Sequence, residues 1–206
     1  MSDVKGLRVV VAGAGAIGSV CALILARRGA KVVLSDPAAR GDNASGVAAG
    51  MLAPVCEALF DGTSQGHLPL LRTALQAWDR LLPDMAASLD RSGAVIEAGD
   101  AQAVLRRAEA IGALVEPMAA DQARRLCPGL GPPGPFLFTA EDWRLDARTM
   151  LAALHQALRA EGGQLLRSPV TGRPAPGADI LVQATGPGPD LTPIKGQRRG
   201  TAGSGP

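Results

Sequence analysis

The sequence predicts an α/β fold that begins with two strands of a parallel sheet joined by a helix. Residues 8–12 read RVVVA and residues 31–35 read KVVLS, and short β-branched runs of this kind are typical of buried parallel strands. Between them, apolar residues recur at helical spacing from Ile17 to Leu25, and Gly29 ends that pattern. Strand, helix and strand within about 30 residues form the βαβ unit of a Rossmann-like sheet.

A glycine-rich turn follows the first strand directly. Gly13 permits the tight turn, Gly15 lets a pyrophosphate approach the backbone, and Gly18 lets helix and strand pack closely. The N-terminus of the helix then faces the phosphates. Asp36 stands at the carboxyl end of the second strand, where its charge accepts hydrogen bonds from a ribose diol and repels a 2′-phosphate. These features predict an adenine-dinucleotide site.

The segment after Asp36 differs from an ordinary dinucleotide-binding domain. Residues 38–54 are rich in Gly, Ala, Ser, Asn and Asp and show no strand period, so we expect a loop there. A nicotinamide-dependent dehydrogenase would place a third strand within about 30 residues of Asp36. Small side chains suit a backbone that lies against a flat ligand, and a flexible surface loop without a ligand is the alternative interpretation.

Helical and strand patterns continue along the rest of the chain. An apolar stripe predicts a long helix from Leu71 to Leu89, which Pro83 should kink or split. Other helices are expected over 101–111, over 119–126, and from an N-cap at Asp146 to a stop at Gly162. Strands are expected over 93–97, over 136–138 as an edge strand, over 164–167, and from residue 179 to a turn at residue 186.

Composition excludes several classes of protein. The 21 basic and 19 acidic residues give a net charge of +2, which is too balanced for a nucleic-acid partner. No apolar run approaches the roughly 18 residues of a membrane span, so we expect no membrane association. Three widely spaced cysteines indicate reduced thiols and no metal site. We therefore expect a cytoplasmic protein.

No side chain stands out as a catalyst, and the catalytic residues are unknown from the sequence. His67 and His155 lack a neighbouring ligand or nucleophile pattern, and we interpret them as surface or packing residues. Glu141 and Asp142 precede a helix, and exposed carboxylates in that place usually cap it, so we assign them no chemistry.

Together these motifs resemble the FAD-dependent amino-acid oxidases of the D-amino-acid oxidase and glycine oxidase group. The closest likeness is to the glycine oxidases of thiamine biosynthesis. The resemblance is carried by GAGAIG at 13–18, Asp36, AS at 44–45, AAGMLAP at 48–54, EDWRLD at 141–146, SPV at 168–170, ATGP at 184–187 and PIKGQ at 193–197. Many flavoproteins share the glycine motif, whereas AAGMLAP and PIKGQ are more specific.

The resemblance implies a GR2-type flavoprotein fold with an inserted, partial α+β substrate domain. The implied FAD-binding domain covers residues 1–84 and 142–197, the partial substrate domain covers 85–141, and 198–206 form an irregular tail. The C-terminal part of the fold is expected to be missing, because PIKGQ is followed by RRGTAGSGP rather than by strands. The family's arginine for the substrate carboxylate and its glycine turn under the flavin belong to that part, and no residue here matches either.

The resemblance also implies contacts with the adenosine and pyrophosphate of FAD. Ala16 and Ile17 should lie over the pyrophosphate, together with the glycines of the turn. Asp36 and Pro37 should lie at the adenosine ribose, and the backbone of Val170 at the adenine.

Further implied contacts reach the flavin end of the cofactor. Ala44 and Ser45 match residues at the phosphate and ribityl region. Ala49, Gly50 and Met51 match backbone that supports the isoalloxazine ring.

The turn at Thr185 and Gly186 should close over the cofactor from the far strand.

The implied reaction is dehydrogenation of a small amine or amino acid such as glycine, with hydride transfer to the flavin and reoxidation by O2. Two alternatives stay open: an NAD-dependent dehydrogenase, and a non-catalytic nucleotide-binding remnant or a subunit completed by another chain. The last predicts an unpaired apolar sheet edge near Leu181. A homo-oligomer also stays open.

Overall fold

The computed structural model describes residues 4–62, 64–81, 89–130, 134–170 and 177–186. The chain divides into two compact units, Met1–Ala49 with Asp146–Pro206, and Gly50–Leu145. The mixture of a parallel sheet, antiparallel sheets and helices confirms the predicted α/β fold class. The domain boundaries implied by the resemblance concern cofactor and substrate binding, and they stay predictions; the tail at 198–206 lies outside the described residues.

The elements follow one another along the chain in two sets. The helices are α1 Ala16–Arg27, α2 Ala44–Val47, α3 Pro54–Phe60, α4 Leu68–Leu81, α5 Ala101–Ile111, α6 Ala120–Leu126 and α7 Ala147–Ala160. The strands are β1 Arg8–Ala12, β2 Lys31–Ser35, β3 Met51–Leu52, β4 Leu89–Asp90, β5 Ala94–Glu97, β6 Glu116–Met118, β7 Phe136–Thr139, β8 Trp143–Leu145, β9 Gln164–Leu166 and β10 Ile180–Gln183. A short 3-10 turn covers Gln65–His67.

The first unit is built on a four-stranded parallel sheet in the order β10-β1-β2-β9. Val9 pairs with Val32 and Val11 with Leu34, and these four side chains are buried in the core of the unit. Helices α1 and α7 pack together, and buried Leu158 of α7 belongs to the same core cluster. Because β-branched side chains alternate across the strands, one face of the sheet carries this core.

The opening βαβ unit forms where the sequence predicted it. β1 and β2 have the predicted bounds, and α1 ends at Arg27, close to the predicted stop. Gly29 adopts a φ of +84°, a left-handed conformation that favours glycine and reverses the chain into β2. Asp146 also caps α7 as predicted, since its Oδ1 accepts a hydrogen bond from the amide of Thr149 at 2.7 Å.

The second unit contains two three-stranded antiparallel sheets, in the orders β3-β8-β4 and β5-β7-β6. Its core cluster unites α3, α5 and the second sheet through Val55, Leu59, Ala108, Ile96 and Leu137. The prediction that residues 136–138 form an edge strand was wrong, because β7 lies between β5 and β6. The sequence of β6, Glu-Pro-Met, lacks the alternation that would have predicted that neighbour.

Two further sequence predictions need correction. The expected loop at 38–54 contains α2 and β3, because the side chain of Asn43 caps α2 and β3 finds its partner in the distant β8. The long helix predicted from Leu71 to Leu89 ends at Leu81, and Leu89 belongs to β4. Pro83 lies outside the described residues.

None of the helices in the described part of the chain has the length and apolar character that a membrane crossing requires. Cys21, Cys56 and Cys127 are free, in agreement with the predicted reduced thiols.

Candidate cofactor site

The glycine turn packs closely on the end of β10. Gly13 has a φ of +101°, and a Cβ there would overlap the carbonyl oxygen of Ala184. A Cβ at Gly18 would in turn overlap the carbonyl oxygen of Gly13. Glycine is therefore required at both positions for helix α1 to begin against the sheet.

The N-terminus of α1 presents amide groups beside Ser45. The amide of Ala16 donates to the Ser45 hydroxyl at 2.9 Å. The first hydrogen bond along α1 joins the amide of Ser19 to the carbonyl oxygen of Gly15 at 2.9 Å. The amide of Ile17 comes before it, among the amides that the start of a helix leaves without an acceptor inside the helix. Gly15 leaves room here, since a Cβ at that position would lie 3.0 Å from the Ser45 hydroxyl oxygen. A phosphate fits this arrangement of amides, hydroxyl and helix dipole.

Asp36 joins the glycine turn to the segment after β2. One carboxylate oxygen accepts a hydrogen bond from the amide of Ala14 at 2.7 Å, and the other accepts one from the amide of Ala38 at 2.9 Å. Each oxygen has a second lone pair, so the carboxylate retains capacity for the hydroxyls of a ribose. Pro37, the next residue, is exposed at the surface.

A cavity of about 410 Å³ opens beside Asp36 at the carboxyl ends of the parallel strands. Ligands of open α/β sheets bind at this edge. Three exposed arginines, Arg40, Arg159 and Arg167, line the cavity, and Asp36 is the single carboxylate among its described lining residues. The positive surroundings favour an anionic ligand. Sequence reasoning missed these arginines, because they come from three separate segments and follow no motif.

His155 connects α7 to the glycine turn. The side chain is buried, and its Nε2 lies 3.0 Å from the hydroxyl oxygen of Ser19. That hydroxyl donates to the carbonyl oxygen of Ala14 at 3.2 Å. Burial, followed by the charges of Arg40 and Arg159, lowers the pKa of His155. A neutral imidazole therefore packs beneath the turn, while His67 lies exposed in the 3-10 turn.

The predicted contacts at Ala44 and Ser45 lie in the short helix α2. Ala44 is exposed and Ser45 is half-buried against the start of α1. A Cβ at Gly46 would overlap the backbone of Gly41, which explains how the two segments approach so closely. Ala49, the last residue of this stretch of the first unit, is exposed.

Gly50 and Met51 open the second unit. Gly50 has a φ of +76°, and its carbonyl oxygen accepts a hydrogen bond from the amide of Leu145 at 2.8 Å. A Cβ at Gly50 would overlap the carbonyl oxygen of Leu145, so glycine is required there as well. Met51 is 60% exposed and lies in the edge strand β3, paired with Arg144.

The remaining predicted contacts flank the parallel sheet. Thr185 lies against the turn, because a Cβ at Gly13 would stand 3.0 Å from its Cα, and Gly186 follows with a φ of +83°. Val170 is half-buried and lines a different cavity, of about 850 Å³, from the one beside Asp36. The first unit thus brings the turn, Ser45, Asp36 and Thr185 together. Val170 shares its cavity with Ser35, and its contact with the adenine stays a prediction.

The interpretation of Glu141 and Asp142 as exposed carboxylates that cap the following helix was wrong. Asp142 is 1% exposed and accepts hydrogen bonds from two amides of α3. Glu141 forms an ion pair with Arg72 at 2.7 Å. Both partners lie about 70 or more residues away in sequence, so no local pattern pointed to them.

A family model described as "FAD dependent oxidoreductase" matches residues 8–202 of the sequence. The chain belongs to the FAD-dependent oxidoreductase family. The predicted Rossmann-like FAD-binding fold and the predicted cofactor, FAD, are thereby confirmed. The assignment of the glycine turn, the amides of α1, Ser45 and Asp36 to its adenosine diphosphate half stays a prediction, and the donors and the acceptor that they offer fit it.

Solved structures of this family share the fold at low identity. Glycine oxidase from Geobacillus kaustophilus is 25% identical, with a TM-score of 0.62 over 77% of this chain and 46% of its own. Iminodiacetate oxidase from Chelativorans sp. BNC1 is 22% identical, with a TM-score of 0.65 over 86% and 55%. L-proline dehydrogenase from P. horikoshii is 18% identical, with a TM-score of 0.68 over 88% and 53%.

The chain spans about half the length of these solved structures. A search among curated proteins finds no sequence match.

The strand order also differs from a nicotinamide-dependent dehydrogenase of the kind considered above. The neighbour of β2 on the side away from β1 is β9, which begins only at Gln164.

Proposed function

We propose that the protein is an FAD-dependent oxidase of a small amino acid or amine, similar to glycine oxidase, with O2 as the electron acceptor. Bound FAD supplies the hydride acceptor for such a reaction. The observation that carries the proposal is the candidate nucleotide site of the first unit. There the amide of Ala16 donates to the hydroxyl of Ser45, and the carboxylate of Asp36 accepts a hydrogen bond from Ala14 in the glycine turn. The family match and the amino-acid oxidases among the solved structures support the reaction class.

The proposed roles follow the chemistry of each group. The amides at the start of α1 and the hydroxyl of Ser45 bind the pyrophosphate, and Asp36 accepts hydrogen bonds from the ribose. Gly50 and Met51 support the flavin ring through their backbone, as the resemblance implies. Gly50 has no Cβ, and β3 lies at the edge of its sheet in the described part of the chain, so that edge offers amide and carbonyl groups.

A small cavity in the second unit is the proposed substrate site. It measures about 200 Å³ and lies between β3 and α4, with Met51, Leu71, Leu75 and Trp78 among its walls. Glu57 is the charged group among its described lining residues, and a carboxylate there favours a cationic amine. The volume lies below the roughly 300–1,000 Å³ of drug-sized ligand pockets, which favours a small substrate.

Two finer assignments belong to the same proposal. The likeness to glycine oxidase extends it to a role in thiamine biosynthesis. The three free cysteines support a reducing, cytoplasmic location.

A second candidate function is a nucleotide-binding subunit that another chain completes. Its specific support is β10, which forms one edge of the parallel sheet in the described part of the chain, with Ile180 38% exposed. An exposed strand edge of this kind is a template for pairing with further strands.

The visible absorption spectrum of the purified protein tests these proposals. We expect a flavin spectrum that bleaches in the absence of oxygen when glycine, sarcosine or a D-amino acid is added. A flavin spectrum that none of these amines bleaches would favour the second candidate, binding without catalysis. Saturable NADH binding with no flavin uptake would refute the proposed oxidase.

A further inference from the structure

Helix α3 begins immediately after the segment assigned to the flavin ring, and it has no cap of its own. Its N-cap residue is Ala53, which offers no side-chain acceptor. Pro54, the first helical residue, has no amide hydrogen. The first amides that need an acceptor are therefore those of Val55 and Cys56, at the buried start of the helix.

Asp142 satisfies both of these amides from the other end of the unit's sequence. Its Oδ1 accepts from Val55 N at 2.8 Å and its Oδ2 accepts from Cys56 N at 3.0 Å. Burial, followed by the adjacent Asp142, raises the pKa of the Cys56 thiol to about 12, so the thiol stays protonated beside the carboxylate. A carboxylate that is 1% exposed is thus held by donors from a single helical turn.

Because Asp142 directly precedes β8, its hydrogen bonds link the start of α3 to that strand. The next residue, Trp143, begins β8, and it pairs with Leu52 of β3. At the other end of β8, the amide of Leu145 donates to the carbonyl oxygen of Gly50 at 2.8 Å. The segment from Gly50 to Cys56 is therefore attached to one short stretch, 142–145, at its beginning, middle and end.

This attachment matters because β3 has two ladder positions in the described part of the chain. It is two residues long, it lies at the edge of its sheet, and Met51 is 60% exposed. Two ladder positions to a single partner strand, β8, fix an edge strand weakly. The buried carboxylate supplies charge-assisted hydrogen bonds, which are roughly twice as strong as neutral ones.

We propose that Asp142 is a positioning residue that fixes the backbone of Gly50 and Met51 against the flavin ring. The inference rests on the proposed function, because it takes the contact of these two residues with the ring from that proposal. Asp142 itself touches neither cofactor nor substrate in this assignment. It acts through α3 and β8.

Asp142→Asn tests the proposal in the FAD-bound protein. The amide keeps the shape of the carboxylate, but it retains one acceptor oxygen, and its NH2 group opposes the second backbone N–H. We expect the visible circular dichroism of the bound flavin to change and its midpoint potential to shift. Both readouts report the surroundings of the ring, and a loss of helix capping elsewhere leaves them unmoved.

Asp100→Asn is the matched control in the same unit. Asp100 caps α5, where its Oδ1 accepts from the amide of Ala103 at 2.9 Å, and this helix lies outside the segment that carries Gly50 and Met51. We expect the control to keep the dichroism and the potential of the unsubstituted protein. An Asp142→Asn protein with unchanged dichroism and potential would overturn the inference.

A double variant separates positioning from capping, and it also serves if Asp142→Asn alone folds poorly. Ala53→Ser adds a local N-cap to α3, which replaces the lost acceptor without restoring the link to β8. The inference expects the double variant to recover thermal stability while the flavin dichroism stays altered. Full recovery of the dichroism would show that Asp142 is only a cap. An unsubstituted protein that takes up no FAD would refute the proposed function and the inference with it.

Discussion

Replacing Gly13 and Gly15 by alanine, one at a time, should separate folding from cofactor binding. The two glycines stand two residues apart in the same turn, but their surroundings differ. Gly13 has a φ of +101° and no space for a Cβ beside the backbone of Ala184. Gly15 has an ordinary φ of −72°, and among the described residues beyond its chain neighbours a Cβ there would meet the side chain of Ser45 alone, at 3.0 Å.

The structure sets the size of each effect. Gly13→Ala forces a backbone conformation that costs about 1–3 kcal/mol, and the overlap with a carbonyl group costs about 1–3 kcal/mol more. A loss of about 2–6 kcal/mol should lower Tm by at least about 4 °C for a chain of this length. Gly15→Ala weakens one hydrogen bond, between Ala16 and Ser45, so its cost stays within about 0.5–1.5 kcal/mol.

Among folded molecules, we expect Gly15→Ala to weaken FAD binding more than Gly13→Ala does. In the proposed site, the methyl group of Gly15→Ala would occupy the space through which the pyrophosphate approaches the α1 amides. A loss of about 1.4 kcal/mol at that contact already corresponds to a tenfold weaker affinity, so we expect at least that change. Thermal unfolding followed by far-UV circular dichroism measures stability, and a fluorescence titration of the apoprotein with FAD measures affinity.

Gly99→Ala is the control, because among the described residues, its chain neighbours aside, none has an atom within 4 Å of a Cβ at that position. It should leave both Tm and FAD affinity unchanged. If Gly15→Ala binds FAD as tightly as the unsubstituted protein, the phosphate site is assigned wrongly. If Gly15→Ala lowers Tm as much as Gly13→Ala, the packing argument for the turn fails.

Three further predictions concern titration, an ion pair and thiol reactivity. Because the pKa of His155 is lowered in the folded state, the unfolded chain binds the proton more readily. We therefore expect the free energy of unfolding to have its full value above about pH 6.5. It should fall as the pH drops through the folded-state pKa of His155. Urea titrations across that range check this, and His155→Gln should flatten the slope, whereas an unchanged slope would contradict the assignment. Arg72→Ala removes hydrogen bonds to Glu141 and to the carbonyl oxygen of Gly112. Because the side chains of Arg72 and Glu141 are partly exposed, we expect the free energy of unfolding in urea to fall by about 1–2 kcal/mol. An unchanged free energy of unfolding would show that solvent screens the pair. At pH 8 iodoacetamide should label exposed Cys127 well before Cys56, whose thiol pKa is raised to about 12 by burial and by Asp142, and mass spectrometry showing the reverse order would refute that environment.

The sequence predicted the parts of the site that depend on neighbours along the chain. A β-branched run, three spaced glycines, a helical period and an acid after the next strand lie within 29 residues, and all of them occur in the first unit where they were expected. The cap at Asp146 was predictable for the same reason, because its acceptor and its donor are three residues apart. The cofactor followed from the family motifs, which the family match confirms.

Other features were decided by contacts between distant segments. Residues 38–54 have a loop-like composition, yet β3 forms there because β8 is paired beside it. In the same way β7 became a central strand through β6, whose sequence carries no strand pattern. Strand pairing depends on the partner as much as on the residues themselves, which composition and periodicity do not report.

The sequence by itself determined the nucleotide turn, since glycine positions and a strand-end carboxylate act through local backbone geometry. Only the tertiary structure decided what Asp142 does. In the sequence it shortly precedes a helix that Asp146 already caps, and its donors, Val55 and Cys56, are more than 80 residues away along the chain. A buried carboxylate is stable only where donors converge on it, and that convergence exists only once the chain has folded.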